Sequence, residues 1–491
     1  MRLKKFLTRF SVVAMVALPL PGGRLHAEGG QPGTRPNILL FLVDDLGARD
    51  LGCEGSAYYE TPAVDSLASE GMRFTQAYAA HPRCVPSRFA ALTGKYPARA
   101  GVPGGGNEEM GATEKTIAES LKEGGYHTFY AGKWHLGHDQ SGHPTNQGFD
   151  ESVAAGSAGA AGSHWFPYNK SGGKKAAKGG GEEAPLEGLD EGVQGEYLAD
   201  RLTDETVKFL RAHASGHKDQ PFFAVLAHYA VHTPIEGKPH LVEKFDNKAK
   251  AGPVSGPEFI EKDGITKVRQ DNAHYAAMVA SVDESVGRIL ATLDELGLSD
   301  QTIVVFTSDH GGLSNRGASN QRELATSNLP LRAGKGHLYE GGIRVPLIVK
   351  WPSVTPKGVR SDSVVTNTDL YPTFLEMAGL PPSPEHHLDG RSFVRSLRGN
   401  PAVDRGPIFW HSPRPRPNST GDLAASAVRS GDFKYVMHYG EAEDGLYNLA
   451  ADPGEENNLL HEAPAKAAEL RALLEGWLAD VKAVPPRPTK K

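Results

Sequence analysis

Apolar and polar positions alternate between two regimes along this chain. Asn37-Ile-Leu-Leu-Phe-Leu-Val43 is an unbroken apolar run that stops at Asp44-Asp45, the pattern of a strand buried on both faces, as in a parallel sheet. Thr128–Ala131, Pro221–Ala227, Thr302–Thr307 and Val345–Lys350 repeat that short, strand-like pattern. Between them the spacing becomes helical. Thr61–Gly71 carries Val64 and Leu67. Tyr275, Met278, Val279, Val282, Val286, Ile289, Leu290 and Leu293 mark one face of a long amphipathic helix that runs directly into the 302–307 strand. Strands alternating with helices predict the α/β class, with a large doubly wound mixed sheet flanked by helices. After about Gly379 the pattern shortens. Ile408–Trp410, Ala427-Val428, Lys434–Met437 and Leu446–Leu449 read as brief strands, and Ala465–Val481 as a helix begun by Pro464. That predicts a smaller C-terminal α+β domain, a short antiparallel sheet plus a helix. The expected organisation is 28–378 for the catalytic α/β domain and 379–491 for the smaller domain. Residues 155–195 are rich in Gly, Ala and Lys with little periodicity and read as long loops. Within them His164-Trp165-Phe166-Pro167-Tyr168 is either a platform for a sugar or a small core under the loop.

The first 27 residues change the picture of where the chain works. Arg2, Lys4, Lys5 and Arg9 precede a short apolar run from Ser11 to Leu20, and Leu25-His26-Ala27 offers a small residue for cleavage. This reads as a signal peptide, 1–27. A spanning helix needs roughly 20 apolar residues, which this run does not reach. An exported, periplasmic or extracellular protein without a stable membrane anchor is expected. Losing residues 1–27 takes away five basic and no acidic side chains and moves the formal charge from -6 to -11. Such a balance argues against a nucleic-acid partner, and any anionic substrate must be drawn in by a local cationic pocket.

Polar residues gather where the apolar strands end, which in open α/β sheets is where ligands bind. Asp44 and Asp45 follow one strand, Asp309 and His310 a second, His228 and His232 a third, and Lys133 and His135 a fourth. Three converging carboxylates would repel, so a cation is their natural partner, and oxygen-rich sets suit hard ions such as calcium or magnesium. Only two cysteines exist, Cys53 and Cys84. In an exported chain one disulfide is the plain expectation.

The surroundings of Cys84 outweigh it. Cys84-Val-Pro-Ser-Arg88 followed by Leu92-Thr-Gly-Lys95 resembles the maturation signature of the formylglycine-dependent sulfatases of the alkaline phosphatase superfamily. Asn37–Gly47, Gly132-Lys-Trp-His-Leu-Gly137, Ser308-Asp-His-Gly311, the segment Gly334–Pro346 around Lys335, and Leu446–Leu449 with Asp452-Pro453 extend the likeness over most of the chain. The resemblance implies that Cys84 is oxidised by a formylglycine-generating or equivalent enzyme to an aldehyde, whose hydrate attacks sulfur through one hydroxyl and expels sulfate through the other. It implies that Asp44, Asp45, Asp309, His310 and the oxidised Cys84 bind one calcium ion, or magnesium. It implies that Arg88 steadies the diol or the carboxylates, that Lys133 and Lys335 grip sulfate, and that His135 is the base for sulfate elimination. His232 would contact sulfate or protonate the leaving oxygen, and His337 would touch substrate. Many relatives carry Asp-Asn at Asp309-His310, and imidazole is an unusual partner for calcium. Cys53 reads as a small core residue.

The expected activity is removal of sulfate from a sulfated carbohydrate. Asn328-Leu-Pro-Leu-Arg332 resembles carbohydrate sulfatases and favours a 4- or 6-sulfated galactose or N-acetylgalactosamine, with the loops at 155–195 and 313–332 setting specificity. A phosphodiesterase or phosphonate monoester hydrolase on the same scaffold, and a non-catalytic glycan-binding relative, are the alternatives.

Overall fold

The computed structural model describes residues 35–105, 108–137, 142–168, 186–252, 255–401 and 404–486. The expected signal peptide, 1–27, lies outside the described residues. No helix among the described residues is long and apolar enough to cross a membrane.

Eight strands form the main sheet: β1 (Asn37–Val43), β2 (Met72–Tyr78), β3 (His127–Gly132), β4 (Glu151–Val153), β5 (Phe222–His228), β8 (Thr302–Ser308), β10 (Leu347–Lys350) and β11 (Val359–Thr366). Their order is β11-β2-β10-β8-β1-β5-β3-β4. The sheet is mixed, because β10 runs antiparallel to both β2 and β8 while its other neighbours pair in parallel. Alternation along β1 shows why it is apolar throughout. Leu39, Phe41 and Val43 pack into one core with helices Leu198–Gly216 and Ala273–Glu295, and Ile38, Leu40 and Leu42 pack into a second with helices Cys84–Thr93 and Leu370–Met377. Both faces are therefore covered, which is the doubly wound arrangement.

The strands that the apolar pattern missed are the polar ones. β2 reads MRFTQAY, next to the sheet edge, and β11 reads VRSDSVVT, at the edge itself, and both mix buried positions with half-buried or exposed ones. A three-stranded sheet of β6 (Phe259–Glu261), β7 (Ile265–Lys267) and β9 (Asn315–Arg316) is likewise too short and too polar to announce itself.

The C-terminal part is a four-stranded antiparallel sheet, β12 (Ile408–Ser412), β13 (Ala425–Ser430), β14 (Phe433–His438) and β15 (Gly445–Asn448), with helix Pro464–Asp480 packed on it through Leu470 and Leu474. Phe393, Val394 and Leu397, which lie just before it in sequence, pack instead in the core of the large sheet.

A buried charge triad ties the two parts together. Lys434 on β14 reaches Glu340 at 3.1 Å and Glu455 at 2.8 Å, with all three side chains fully buried. Glu340 also accepts from Tyr78 Oη at 2.8 Å, and its backbone N–H donates to Glu455 at 2.7 Å. Burial pushes the Glu455 carboxyl up to about 7 against the pull of Lys434, so the ammonium is the group that keeps it ionised. Lys434→Met should cost about 3–5 kcal/mol in urea unfolding at neutral pH, because it strands a buried charge. Adding Glu455→Gln to that variant should return part of the loss.

Candidate functional site

At the carboxyl ends of β1, β3, β5 and β8 the chain turns sharply and sets polar side chains side by side. Asp44 follows β1, and its backbone N–H donates to Ala230 O at 3.1 Å. Asp45 has φ 60, a left-handed conformation that costs a non-glycine residue about 1–3 kcal/mol and collects at functional sites. It is held there by its N–H donating to Asp309 Oδ1 at 3.2 Å and by Leu46 N–H donating to Ser308 Oγ at 3.1 Å. His135 is the second such residue, also at φ 60.

The two sequence motifs around the site have local structural reasons. Cys84 opens helix Cys84–Thr93, and the Leu-Thr-Gly segment closes it: Gly94 takes φ 66 and its N–H bonds Ala90 O at 2.9 Å. Gly132, which starts Gly-Lys-Trp-His-Leu-Gly, has φ 100, and a Cβ there would fall 1.9 Å from Ala227 O. Only glycine lets β3 lie so close to β5 and send Lys133 inward.

The structure brings Asp44, Asp45, Cys84 and His310 together, each buried and each offering one ligand atom within 4.8 Å of the others. Cys84 Sγ lies 3.2 Å from His310 Nε2 and 3.7 Å from Asp44 Oδ1. His310 Nε2 is 3.4 Å from Asp45 Oδ1 and 3.6 Å from Asp309 Oδ1. Asp309 stands beside this group and is claimed by Arg88, whose Nε donates to Asp309 Oδ2 at 3.0 Å. Arg88 Nη1 donates to Lys133 O at 2.6 Å, while Nη2 has no hydrogen-bond partner. Lys133 Nζ binds Asp44, and Lys335 Nζ straddles both oxygens of Asp45 at 2.7 and 2.8 Å.

Of the remaining expected residues, His232 and His135 belong to this neighbourhood. His232 Nε2 lies 3.8 Å from Asp45, and its Nδ1 bonds Thr233 O at 2.8 Å. An imidazole that gives its Nδ1 proton to that carbonyl keeps Nε2 as the bare nitrogen. His135 Nδ1 is buried without a partner. His337 Nε2 bonds Thr420 O at 2.9 Å, and the ring lines a cavity of about 350 Å³ at the seam with the C-terminal sheet. His228 is a core residue bonded to Ser285 Oγ at 3.1 Å. The aromatic cluster at 164–168 is packed on itself and on Tyr197, with His164 and Tyr168 buried, as a small core under the loop. Cys53 and Cys84 are both free.

Sequence reasoning missed Asn367. Its Nδ2 donates to Ser87 O at 2.9 Å and Ser87 Oγ at 2.8 Å, and its Oδ1 accepts from Ala80 N–H at 3.0 Å, so it fixes the start of the Cys84 helix from the far end of β11. A single asparagine in a polar turn leaves no periodic signal to find it by.

The electrostatics follow from packing acids and bases together out of water. Burial alone would raise every acid here. The ammonium groups reverse this at three positions. Lys133 holds Asp44 well below the carboxylate range, Lys335 and His232 bring Asp45 down to about 2, and Lys133 and Lys335 bring the Cys84 thiol down to about 5. The helix N-terminus favours the thiolate as well. Asp309 is the exception: burial lifts it to about 7 against His310 and Arg88. His310 is raised to about 9 in spite of burial, by Asp309 and the Cys84 thiolate. Burial and then the lysines push His135 to about 3 and His232 to about 4, so both rest neutral and are bases. The arrangement is an activated residue 84 flanked by cations, acids that accept a cation, and two uncharged imidazoles.

Comparisons with known proteins were made against this geometry. The family profile described as Sulfatase matches residues 36–380, and that described as N-sulphoglucosamine sulphohydrolase, C-terminal, matches residues 333–483. A sulfatase of Formosa agariphila is 31% identical, over 90% of this chain and 89% of its own. The N-acetylgalactosamine-6-sulfatase of Canis lupus familiaris is 33% identical, over 80% and 71%. Among solved structures, the crystal structure of Ps i-CgsB superposes with a TM-score of 0.74 at 32% identity, over 90% of this chain and 93% of that one. The same protein has also been solved in complex with k-i-k-neocarrahexaose.

The depressed thiol gives a direct check. In chelator-treated chain whose Cys84 is unmodified, ultraviolet thiolate absorbance should rise around pH 5, since the thiolate persists above its lowered pKa. Cys53, pushed up by burial, should stay silent through neutral pH. Lys335→Met should move the transition upward by about 1 unit or more.

Proposed function

The chain belongs to the sulfatase family, and on that premise we propose that it is an exported enzyme that removes sulfate from a sulfated carbohydrate, using Cys84 oxidised to formylglycine as its nucleophile. The observation that carries this reading is the placement of Cys84. It lies against Asp44 and His310, within reach of Lys133 and Lys335, and is not bonded to Cys53.

Oxidation would exchange the sulfur and two hydrogens of Cys84 for one aldehyde oxygen, and water would add to give a diol. The donor set then becomes more consistent. Asp44 and Asp45 offer the oxygens that calcium or magnesium prefers, and a hydroxyl at position 84 adds another where sulfur would not. Asp309, lifted to about 7, would ionise more readily beside a divalent charge. A bound ion would supply positive charge to acidify the attacking hydroxyl and offset charge on sulfate. His310 is the one nitrogen in the set; the ion proposed is calcium, with magnesium the alternative.

This chain's own residues do the rest. Lys133 and Lys335, both buried beside Cys84, would grip the sulfate oxygens and stabilise the charge that develops there. Arg88 keeps Asp309 oriented, and its Nη2, 3.8 Å from Asp44 Oδ1 and without a hydrogen bond, would donate to the diol. One hydroxyl of residue 84 forms the bond to sulfur as the sugar oxygen departs. His135, neutral and with an unpartnered Nδ1, takes the proton of the second hydroxyl, so that sulfate leaves and the aldehyde returns. His232 with a bare Nε2 suits contact with the departing group only after it has gained a proton, and its lowered pKa makes it a strong acid once charged.

The sugar is proposed to be a sulfated galactose or N-acetylgalactosamine. Support comes from the Ps i-CgsB structure with a carrageenan-type hexaose and from the N-acetylgalactosamine-6-sulfatase relatives.

Several outcomes test the reading. Chain co-expressed with a formylglycine-generating enzyme should release sulfate from nitrophenyl sulfate and from sulfated galactose or N-acetylgalactosamine, and the peptide holding residue 84 should show the mass of the oxygen-for-sulfur exchange. Cys84→Ala should be inactive. His135→Ala should lower kcat by about 100- to 10,000-fold. Faster turnover of a nitrophenyl phosphonate than of any sulfate would redirect the assignment to phosphonate ester hydrolysis.

A further inference from the structure

Histidines gather at the amino ends of β3 and β5, the end of the large sheet opposite Cys84. His127 opens β3, and His213 and His217 lie one turn apart where helix Leu198–Gly216 ends. β3 is 6 residues long, so roughly 20 Å separate this cluster from Lys133 beyond the strand's other end. The ring centroids are 5.4 Å apart for His127 and His213, 4.6 Å for His127 and His217, and 5.7 Å for His213 and His217. Phe209 packs on His127 and Phe222 on His213, so the two inner rings have an apolar floor.

The hydrogen bonds fix which nitrogens carry protons. His213 Nε2 faces Gln220 O at 2.9 Å, and a carbonyl can only accept, so Nε2 is the donor. His127 Nε2 faces the Glu151 carboxylate at 3.1 Å and donates for the same reason. In the neutral imidazoles Nδ1 is then bare on both rings. Those two Nδ1 atoms face each other at 3.1 Å. Lone pairs so placed repel unless they share a cation. A proton is one such cation, but burial works against it by bringing His213 down to about 4. A metal ion is the other. Two nitrogens about 2.0–2.1 Å from one ion, at an angle of about 100°, stand about 3.1 Å apart. An acceptor on the far nitrogen of each ring is also how metal-bound histidines are oriented.

His217 offers the next ligand. It is exposed, and its Nδ1 faces Gln220 Oε1 at 3.2 Å. Gln220 Nε2 donates to Gly125 O at 3.0 Å, which fixes the amide and makes His217 Nδ1 the donor. Nε2 is then the bare nitrogen of His217, and turning this exposed ring about its side-chain bonds would bring it to the pair. Histidines four apart on a helix share a face and can serve one ion. The C-terminal end of the helix favours positive charge as well.

We propose that His127 and His213, with His217 closing on them, form a second metal site, for a nitrogen-preferring divalent transition ion of the zinc class. Imidazole sets suit zinc, copper or nickel, unlike the oxygen-rich set beside Cys84, which suits calcium or magnesium. The ion would pin the end of helix Leu198–Gly216 to the start of β3. The inference does not depend on the sulfatase reading.

The test titrates zinc chloride by calorimetry into the full, untagged Cys84→Ala chain held in saturating calcium, which keeps the set at the strand ends occupied. One zinc per chain should bind, and zinc should raise the melting temperature where additional calcium does not. His127→Gln and His213→Gln should each weaken zinc about 100-fold or more. His217→Ala, and Glu151→Gln, which removes the charge behind His127, should each weaken it about 10-fold. His217 and Glu151 are exposed, so these two variants should keep the zinc-free melting temperature and decide the matter if the buried ones misfold. No zinc uptake, calcium competing with equal affinity, or uptake undiminished in His217→Ala and Glu151→Gln would overturn the proposal. In the first case the two Nδ1 atoms share a proton.

Discussion

Three carboxylates and a thiolate share one buried patch, and much of the structure exists to make that tolerable. Each ion taken out of water costs several kcal/mol unless opposite charge lies against it. Asp44 has Lys133, Asp45 has Lys335, Asp309 has Arg88, and Cys84 has His310. None of the four cations is near its acid in sequence, so each pair also fixes one stretch of chain against another. The Lys335 pair is the longest reach, joining the segment before Glu340 to the end of β1. The site is therefore a set of interlocked ion pairs in which each buried acid faces a cation from a distant stretch of chain.

Holding those pairs requires stiff, well-positioned backbone. Parallel strands β1, β5 and β8 end at the same level, so Asp44, His228 and Asp309 emerge together from registered neighbours. The turn after β1 keeps Asp45 in a left-handed conformation because the N–H groups of Asp44, Asp45 and Leu46 are all held, by Ala230 O, Asp309 Oδ1 and Ser308 Oγ. Asn367 does for the Cys84 helix what Ser308 does for the β1 turn: one buried polar side chain reaches across from another strand and satisfies backbone or hydroxyl groups that would otherwise be left unpaired. These supports carry no charge, yet the geometry around Cys84 depends on them.

The parts legible in the sequence were those written in local chemistry. β1, β5 and β8 are continuous apolar runs, and the 273–295 helix has a regular stripe, so their existence and order follow from burial on both faces. The Cys84, Lys133 and Lys335 motifs stand out because cysteine, glycine and lysine at fixed spacing have specific local roles, as Gly94 and Gly132 show. What could not be read depends on distance in sequence. β11 is an edge strand and β2 its inner neighbour, and the polar residues in both break up the continuous apolar run that marks the central strands. His337 sits in a motif that resembles a substrate-binding segment, but the loop at 413–422 captures its ring, and no property of residues 334–346 reveals that the captor lies some eighty positions later. Asn367 and Arg83 are invisible for the same reason.

The C-terminal sheet is thus more than a cap. Through Lys434 it holds Glu340, and Glu340 begins the short helix that follows Lys335 and His337, so the grip on Asp45 is set partly from another sheet. Through residues 413–422 it binds Arg83 beside Cys84, and Asn320 and His337 as well. A chain with net negative charge cannot draw an anion by its overall field, and its cations must be concentrated where they act. Many of its surface cations are spent in pairs such as Arg201 with Glu205 or Arg211 with Glu295. Lys133, Lys335 and Arg88 are instead buried against the carboxylates at the strand ends of the large sheet, and the small sheet, through Lys434 and Glu340, helps to hold that arrangement in place.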